Sequence, residues 1–154
     1  MLNRHAVLAK IQDALAEVSD FDAACEKVVT LLHDMLPTYT GVYIYMLDGD
    51  TLVLTHFVGR PTEHTRIPID RGICGAAVRE AATVIVDDVR RDPRYIACSL
   101  ETQSEIVVPI FKNGQVIGEI DVDSDALAAF TLEDREMLEK VAAWMAEKWR
   151  PPPR

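Results

Sequence analysis

Three cysteines, a run of alternating carboxylates and two closely spaced tyrosines are the residues of this 154-residue chain whose types and spacing suit chemistry. Cys74 stands in Gly72-Ile73-Cys74-Gly75, where a turn is expected to enter a short helix. The partial positive charge of a helix N-terminus would lower its thiol pKa and favour the thiolate, while the plain alternative is a small apolar side chain packed between glycines. Cys98 lies in a polar stretch without periodicity, close in sequence to Arg90, Arg91 and Arg94, and cationic neighbours stabilise a thiolate wherever the fold brings them near. Cys25 continues the apolar stripe of a helix and reads as core.

Glu119, Asp121, Asp123 and Asp125 alternate with Ile120, Val122 and Ser124, so an extended strand sets all four carboxylates on one face. A solvated face is the ordinary reading of such alternation. Asp is nevertheless a poor strand former, and stacked carboxylates repel one another, so a cationic group would relieve the face; a substrate ammonium is favoured over a divalent cation. Glu105 falls opposite Val122, away from that face, if the strands meet in an ideal two-residue turn at Asn113-Gly114. A bulge, which Pro109 makes plausible, would reverse the parity and bring Glu105 to the acids. Tyr39 and Tyr43 share a strand face if extended backbone reaches back to Tyr39, and each would wall a pocket or pack in the core. His64 sits in an expected loop, as a surface residue or as an accessory group for proton transfer.

The elements that must position these residues are legible from periodicity. Leu8, Ile11, Leu15 and Val18 mark one stripe of a helix from about Leu2 to Val18, and Phe21, Cys25, Val28, Leu32 and Met35 mark a second, begun by Ser19-Asp20 and stopped by Pro37. GVYIYML and TLVLTHFV read as strands around the turn dipeptide Asp48-Gly49, followed by the brief strand RIPI, the short helix GICGAAVREAA and the strand TVIVDDV. After the polar excursion RRDPRYIACSLETQ, SEIVVPIFK and QVIGEIDVD flank Asn113-Gly114 as a hairpin. Thr131 with Asp134 resembles a capping box, and Leu138, Val141, Met145 and Trp149 mark the buried side of a last helix. The order predicts one α+β domain, a central antiparallel sheet with the N- and C-terminal helices on one face. Residues 1–36 are its N-terminal helices, 37–150 the sheet, site loops and C-terminal helix, and 151–154 a tail.

Composition narrows the function. With 25 acidic against 16 basic residues and a net charge of -9, a nucleic-acid partner is not expected, because phosphate contacts need clustered Lys and Arg. No apolar run is long enough to span a bilayer and no signal-peptide core is present, so a cytoplasmic protein with no membrane partner is expected. Three cysteines in that setting make neither a disulfide framework nor a zinc pattern.

Four segments, RIPIDRGICGAAV, YIACSLETQSEIVVPI, VIGEIDVDS and FTLEDREMLEKV, resemble in order and spacing the free methionine-(R)-sulfoxide reductases, a GAF-domain family. The resemblance runs from roughly Thr38 to Glu139. It implies a GAF fold and thiol-dependent reduction of free L-methionine-(R)-S-oxide to L-methionine. It further implies Cys98 as nucleophile, Glu105, Asp121 and Asp123 as substrate-site carboxylates, one of them the acid, and Tyr43 as a pocket tyrosine. Tyr39 stands where the family typically has a tryptophan. His64 occupies the position of a third cysteine that is often the resolving thiol, so either Cys74 resolves Cys98 through a disulfide or an external thiol does. No bound cofactor or metal is implied; a thioredoxin-like reductant and a homodimer are. The competing reading is a GAF module that senses a small molecule without catalysis.

Overall fold

The computed structural model describes residues 3–96 and 99–153. Helix α1 (Arg4–Ala16) starts where the Asn3 side chain accepts from the Ala6 amide, and α2 (Phe21–Met35) where Asp20 accepts from the Ala23 amide at 2.7 Å. These caps satisfy amide groups that a first helical turn leaves open. The first helix is shorter at its C-terminal end than its apolar pattern suggested, and Pro37 follows the second as expected.

Six strands follow: β1 (Gly41–Asp48), β2 (Thr51–Gly59), β3 (Arg66–Pro68), β4 (Val84–Val86), β5 (Ser104–Lys112) and β6 (Gln115–Ser124). Helix α3 (Gly72–Glu80) separates β3 from β4, a short 3-10 turn spans Val89–Arg91, and α4 (Leu132–Lys148) closes the chain. The strands form one antiparallel sheet in the order β3-β2-β1-β6-β5-β4. Its first hairpin turns on Gly49-Asp50, one residue later than the expected dipeptide, because Asp48 pairs with Thr51 as the last rung. The second turns on Asn113-Gly114, at φ 52° and 78°, the left-handed pair a tight hairpin turn requires.

The sheet separates two clusters. On one face Val42, Ile44, Ile106, Val108, Ile110, Ile120 and Val122 pack under α1, α2 and α4, against Ile11, Leu32, Leu138 and Met145. Burying each such side chain contributes about 1.5–3 kcal/mol. Cys25 is part of this core, its thiol pushed up to about 12, first by burial and then by nearby Asp22. The expected capping box forms: Thr131 accepts from the Asp134 amide and Asp134 accepts from the Thr131 amide at 2.9 Å. Trp149 lies just past the end of α4, half-buried, whereas Leu138, Val141 and Met145 are buried as expected. On the opposite face α3 covers Tyr43, Tyr45, Leu52, Ile67 and Val107. The buried acids Glu105, Glu119, Asp121 and Asp123 lie on this second face. Among the described residues, no helix is long and apolar enough to cross a membrane.

Candidate active site

The alternation in β6 aims Glu119, Asp121 and Asp123 away from the three-helix core, toward α3, because Ile120 and Val122 take the other side. The acids are not a solvated face: all three are buried. Tyr43 pairs with Asp121 and Tyr45 with Glu119, which puts both tyrosines on the acidic face.

Glu105 reaches the same face through a bulge. From the turn upward Lys112 pairs with Gln115 and Phe111 with Val116, but Ile110 pairs with Gly118, leaving Ile117 as an extra residue. Every rung above is shifted by one, so Glu105 faces Asp123 and not Val122. An ideal ladder would have sent Glu105 into the apolar core.

Helix α3 delivers Cys74 from above. It approaches closely because Gly75 has no Cβ: one built there would lie 2.5 Å from the Ile69 carbonyl oxygen. The Cys74 thiol donates to Asp121 Oδ2 at 3.4 Å, and ligand atoms of Cys74, Glu105 and Asp121 lie within 4.8 Å of one another. Glu119 interacts with the same sulfur, and its two oxygens have no hydrogen-bond partner among the described residues.

Electrostatics at this cluster oppose charge. Burial first, then the carboxylates of Asp121, Glu119 and Glu105, hold the Cys74 thiol well above its ordinary pKa. Of the two readings of the helix start, the packed, buried thiol is the one the surroundings favour, since desolvation and three acids outweigh a partial helix charge. Burial likewise raises Glu119, Asp121 and Asp123; the neighbouring Asp121 adds to the rise at Glu119 and Asp123, while hydrogen bonds with Glu105 and Cys74 restrain the one at Asp121. A carboxyl raised by burial holds its proton to higher pH than a solvated one, which suits a general acid. The same donor set would suit an ammonium or a divalent cation. A second such group, Asp22, Glu26 and His56, lies at the surface.

A narrow cavity of 20 Å³, room for about one water molecule, is bounded by Tyr45, His64, Ile73, Cys74, Ile96, Glu105 and Asp121. Wider grooves of 400 and 610 Å³ elsewhere on the surface contain no cysteine. Tyr45 donates to the His64 carbonyl at 2.6 Å, and Tyr43 donates to the Arg60 carbonyl while stacking on Phe57.

A GAF domain model matches residues 20–148. The chain is also 36% identical over 129 residues to the free methionine-R-sulfoxide reductase of Escherichia coli (strain K12), covering 84% of this chain and 78% of that one. The chain belongs to the GAF-domain free methionine-R-sulfoxide reductase family. It is 45% identical over 136 residues to GAF domain-containing protein A of Dictyostelium discoideum, covering 88% and 85% of the two chains. Its fold matches the X-ray structure of the free methionine-R-sulfoxide reductase from Neisseria meningitidis in complex with its substrate, with a TM-score of 0.89, 37% identity, and coverage of 94% of this chain and 87% of the other.

Within this reductase-family fold, Cys74, Glu105, Asp121, Asp123 and Tyr43 lie on one face of the sheet, and His64 stands at the cavity wall. Cys98 lies outside the described residues; the preceding Ile96 lines the cavity. Of the arginines near Cys98 in sequence, Arg94 pairs with Asp92 at 2.7 Å and the exposed Arg91 lies 3.6 Å from Asp88. Tyr39 parts from the group. It precedes β1 in a turn, its amide bonded to the Leu36 carbonyl, so the strand alternation that joins it to Tyr43 does not apply. Its ring packs on Phe130 at 5.5 Å and its hydroxyl donates to Asp134 in the helix-side core. Tyr45, two residues after Tyr43 in GVYIY, shares its face and lines the cavity, a placement the alternation alone could have signalled. Arg60 carries no such local signal, because its partner Asp125 is 65 residues away.

Proposed function

We propose that this chain reduces free L-methionine-(R)-S-oxide to L-methionine, with Cys98 as nucleophile. The observation that carries the reading is the convergence of Cys74, Glu105 and Asp121 beside Asp123, within the fold of a reductase family. The Cys98 thiolate attacks the sulfoxide sulfur, and a proton from Glu105, Asp121 or Asp123 goes to the oxygen as it transfers to Cys98. Methionine leaves, and Cys98 is a sulfenic acid. The Cys74 thiol then attacks the Cys98 sulfur, the S–O bond breaks, and hydroxide takes a proton to leave as water.

A dithiol reductant of the thioredoxin type supplies the two electrons that reopen the disulfide. The clustered carboxylates pair with the substrate ammonium, Tyr43 walls its site and His64 assists at the cavity wall. The enzyme acts without a bound cofactor, as a homodimer in the cytoplasm.

Incubation of the purified protein with both methionine sulfoxide epimers and dithiothreitol tests the reading. Only the R epimer is consumed, methionine accumulates, and Cys98→Ser abolishes the conversion. Absence of methionine, or unchanged turnover by Cys98→Ser, removes it.

A further inference from the structure

At the end of the acidic face stands one guanidinium held in place by the fold. Arg60 directly follows Gly59 at the close of β2, and its two terminal nitrogens donate to Asp125 at 2.7 and 2.8 Å. Asp125 lies two residues past Asp123, and its amide is fixed by the Thr40 hydroxyl at 3.1 Å. The Arg60 carbonyl receives the Tyr43 hydroxyl. The guanidinium is 29% exposed and within electrostatic reach of Asp123 and of Glu101, three residues after Cys98. Among the described residues the guanidinium hydrogen-bonds to Asp125 through two of its five N–H donors.

A free amino acid carries its ammonium and its carboxylate on one carbon. A site that takes the ammonium through the acidic face must receive the carboxylate a few ångströms away, where the ionised acids that hold the ammonium repel it. A guanidinium within electrostatic reach of Asp123 matches the planar carboxylate and offers it charge-assisted N–H donors.

We infer that Arg60, oriented by Asp125, binds the α-carboxylate of the substrate and sets selectivity for the free amino acid. The inference rests on the proposed reductase function. Methionine sulfoxide within a peptide, or as its carboxamide, lacks this charge and forfeits the contact.

The test compares kcat/KM for L-methionine-(R)-sulfoxide and for its carboxamide. The unsubstituted protein prefers the acid by roughly 10- to 100-fold, the range expected of a charge-assisted pair. Arg60→Gln loses that preference by slowing only the acid, Arg60→Lys retains part of it, and Asp125→Asn shows a smaller loss in the same direction. A retained preference in Arg60→Gln, or equal losses on both compounds, overturns the inference. Should Arg60→Gln melt early, the same ratio measured in Arg60→Lys and Asp125→Asn decides. An unsubstituted protein inactive on both compounds removes the reductase reading itself, a result distinct from any Arg60 effect.

Discussion

Glu105 and Asp123 face each other across β5 and β6 because Ile117 adds one residue to the ladder between them and the turn. That single insertion adds Glu105 to the acids beside Cys74 and keeps it out of the apolar core.

If Glu105 and Asp123 bind one ammonium, their contributions are coupled. Glu105→Gln and Asp123→Asn are each expected to lower kcat/KM by roughly 10- to 100-fold, with the double substitution losing less than the product of the two. Fully multiplicative losses in steady-state kinetics speak against a shared ligand.

Glu119 destabilises the fold at high pH. Its folded pKa lies above the unfolded one, so the folded state retains a proton that the unfolded state loses, and stability falls as pH rises through the folded value. Glu119→Gln removes the ionisation and is expected to stabilise by about 1–3 kcal/mol at alkaline pH and by less at pH 5. Thermal melts across that range check it; a gap between variants that stays constant with pH rules out the linkage.

Cys74 should be slow to label in the reduced, substrate-free protein. Burial and three carboxylates keep its thiol protonated, and the thiolate is the reacting form. Iodoacetamide at neutral pH, followed by peptide mapping, is expected to modify Cys98 roughly tenfold or more faster than Cys74. Equal rates contradict the buried thiol.

Tyr39→Phe separates structure from chemistry. The lost hydrogen bond to Asp134 is expected to lower stability by about 2 kcal/mol, while kcat/KM is unchanged. Although burial alone raises it, Asp134 is held below the ordinary carboxylate range by hydrogen bonds from the Thr131 backbone, Tyr39, Arg4 and the Thr131 hydroxyl. Its contribution is therefore present at neutral pH and is lost as pH falls through that lowered value, so the gap between Tyr39→Phe and the parent narrows in acid. A raised KM would return Tyr39 to the site.

Gly41→Ala probes Tyr43. A Cβ there would lie 2.3 Å from the Tyr43 hydroxyl oxygen, so the ring tip must move and release the Arg60 carbonyl. A raised KM for the free sulfoxide is expected, with kcat less affected; unchanged kinetics would mean that the tyrosine tip has no part in binding.

Local chemistry was legible in the sequence. Asp20 and Thr131 announce helix starts because caps act within three residues, Asn113-Gly114 announces its turn because few residues tolerate two left-handed positions, and alternation in VIGEIDVDS assigns the acids to one face. Cys25 was readable as core from its helical stripe alone. Tertiary structure decided the rest. Pro109 makes a bulge plausible, but only the pairing of β5 with β6 puts it at Ile117, and that settles the face of Glu105. Tyr39 turns from Tyr43 because its hydroxyl finds Asp134 on a helix 95 residues away. Cys74 sits at a helix start, as its sequence suggested, yet its proton is held first by burial and then by carboxylates that β5 and β6 bring beneath it. Short-range hydrogen bonds and periodicity are written along the chain, whereas desolvation and charge depend on which distant residues the sheet brings together.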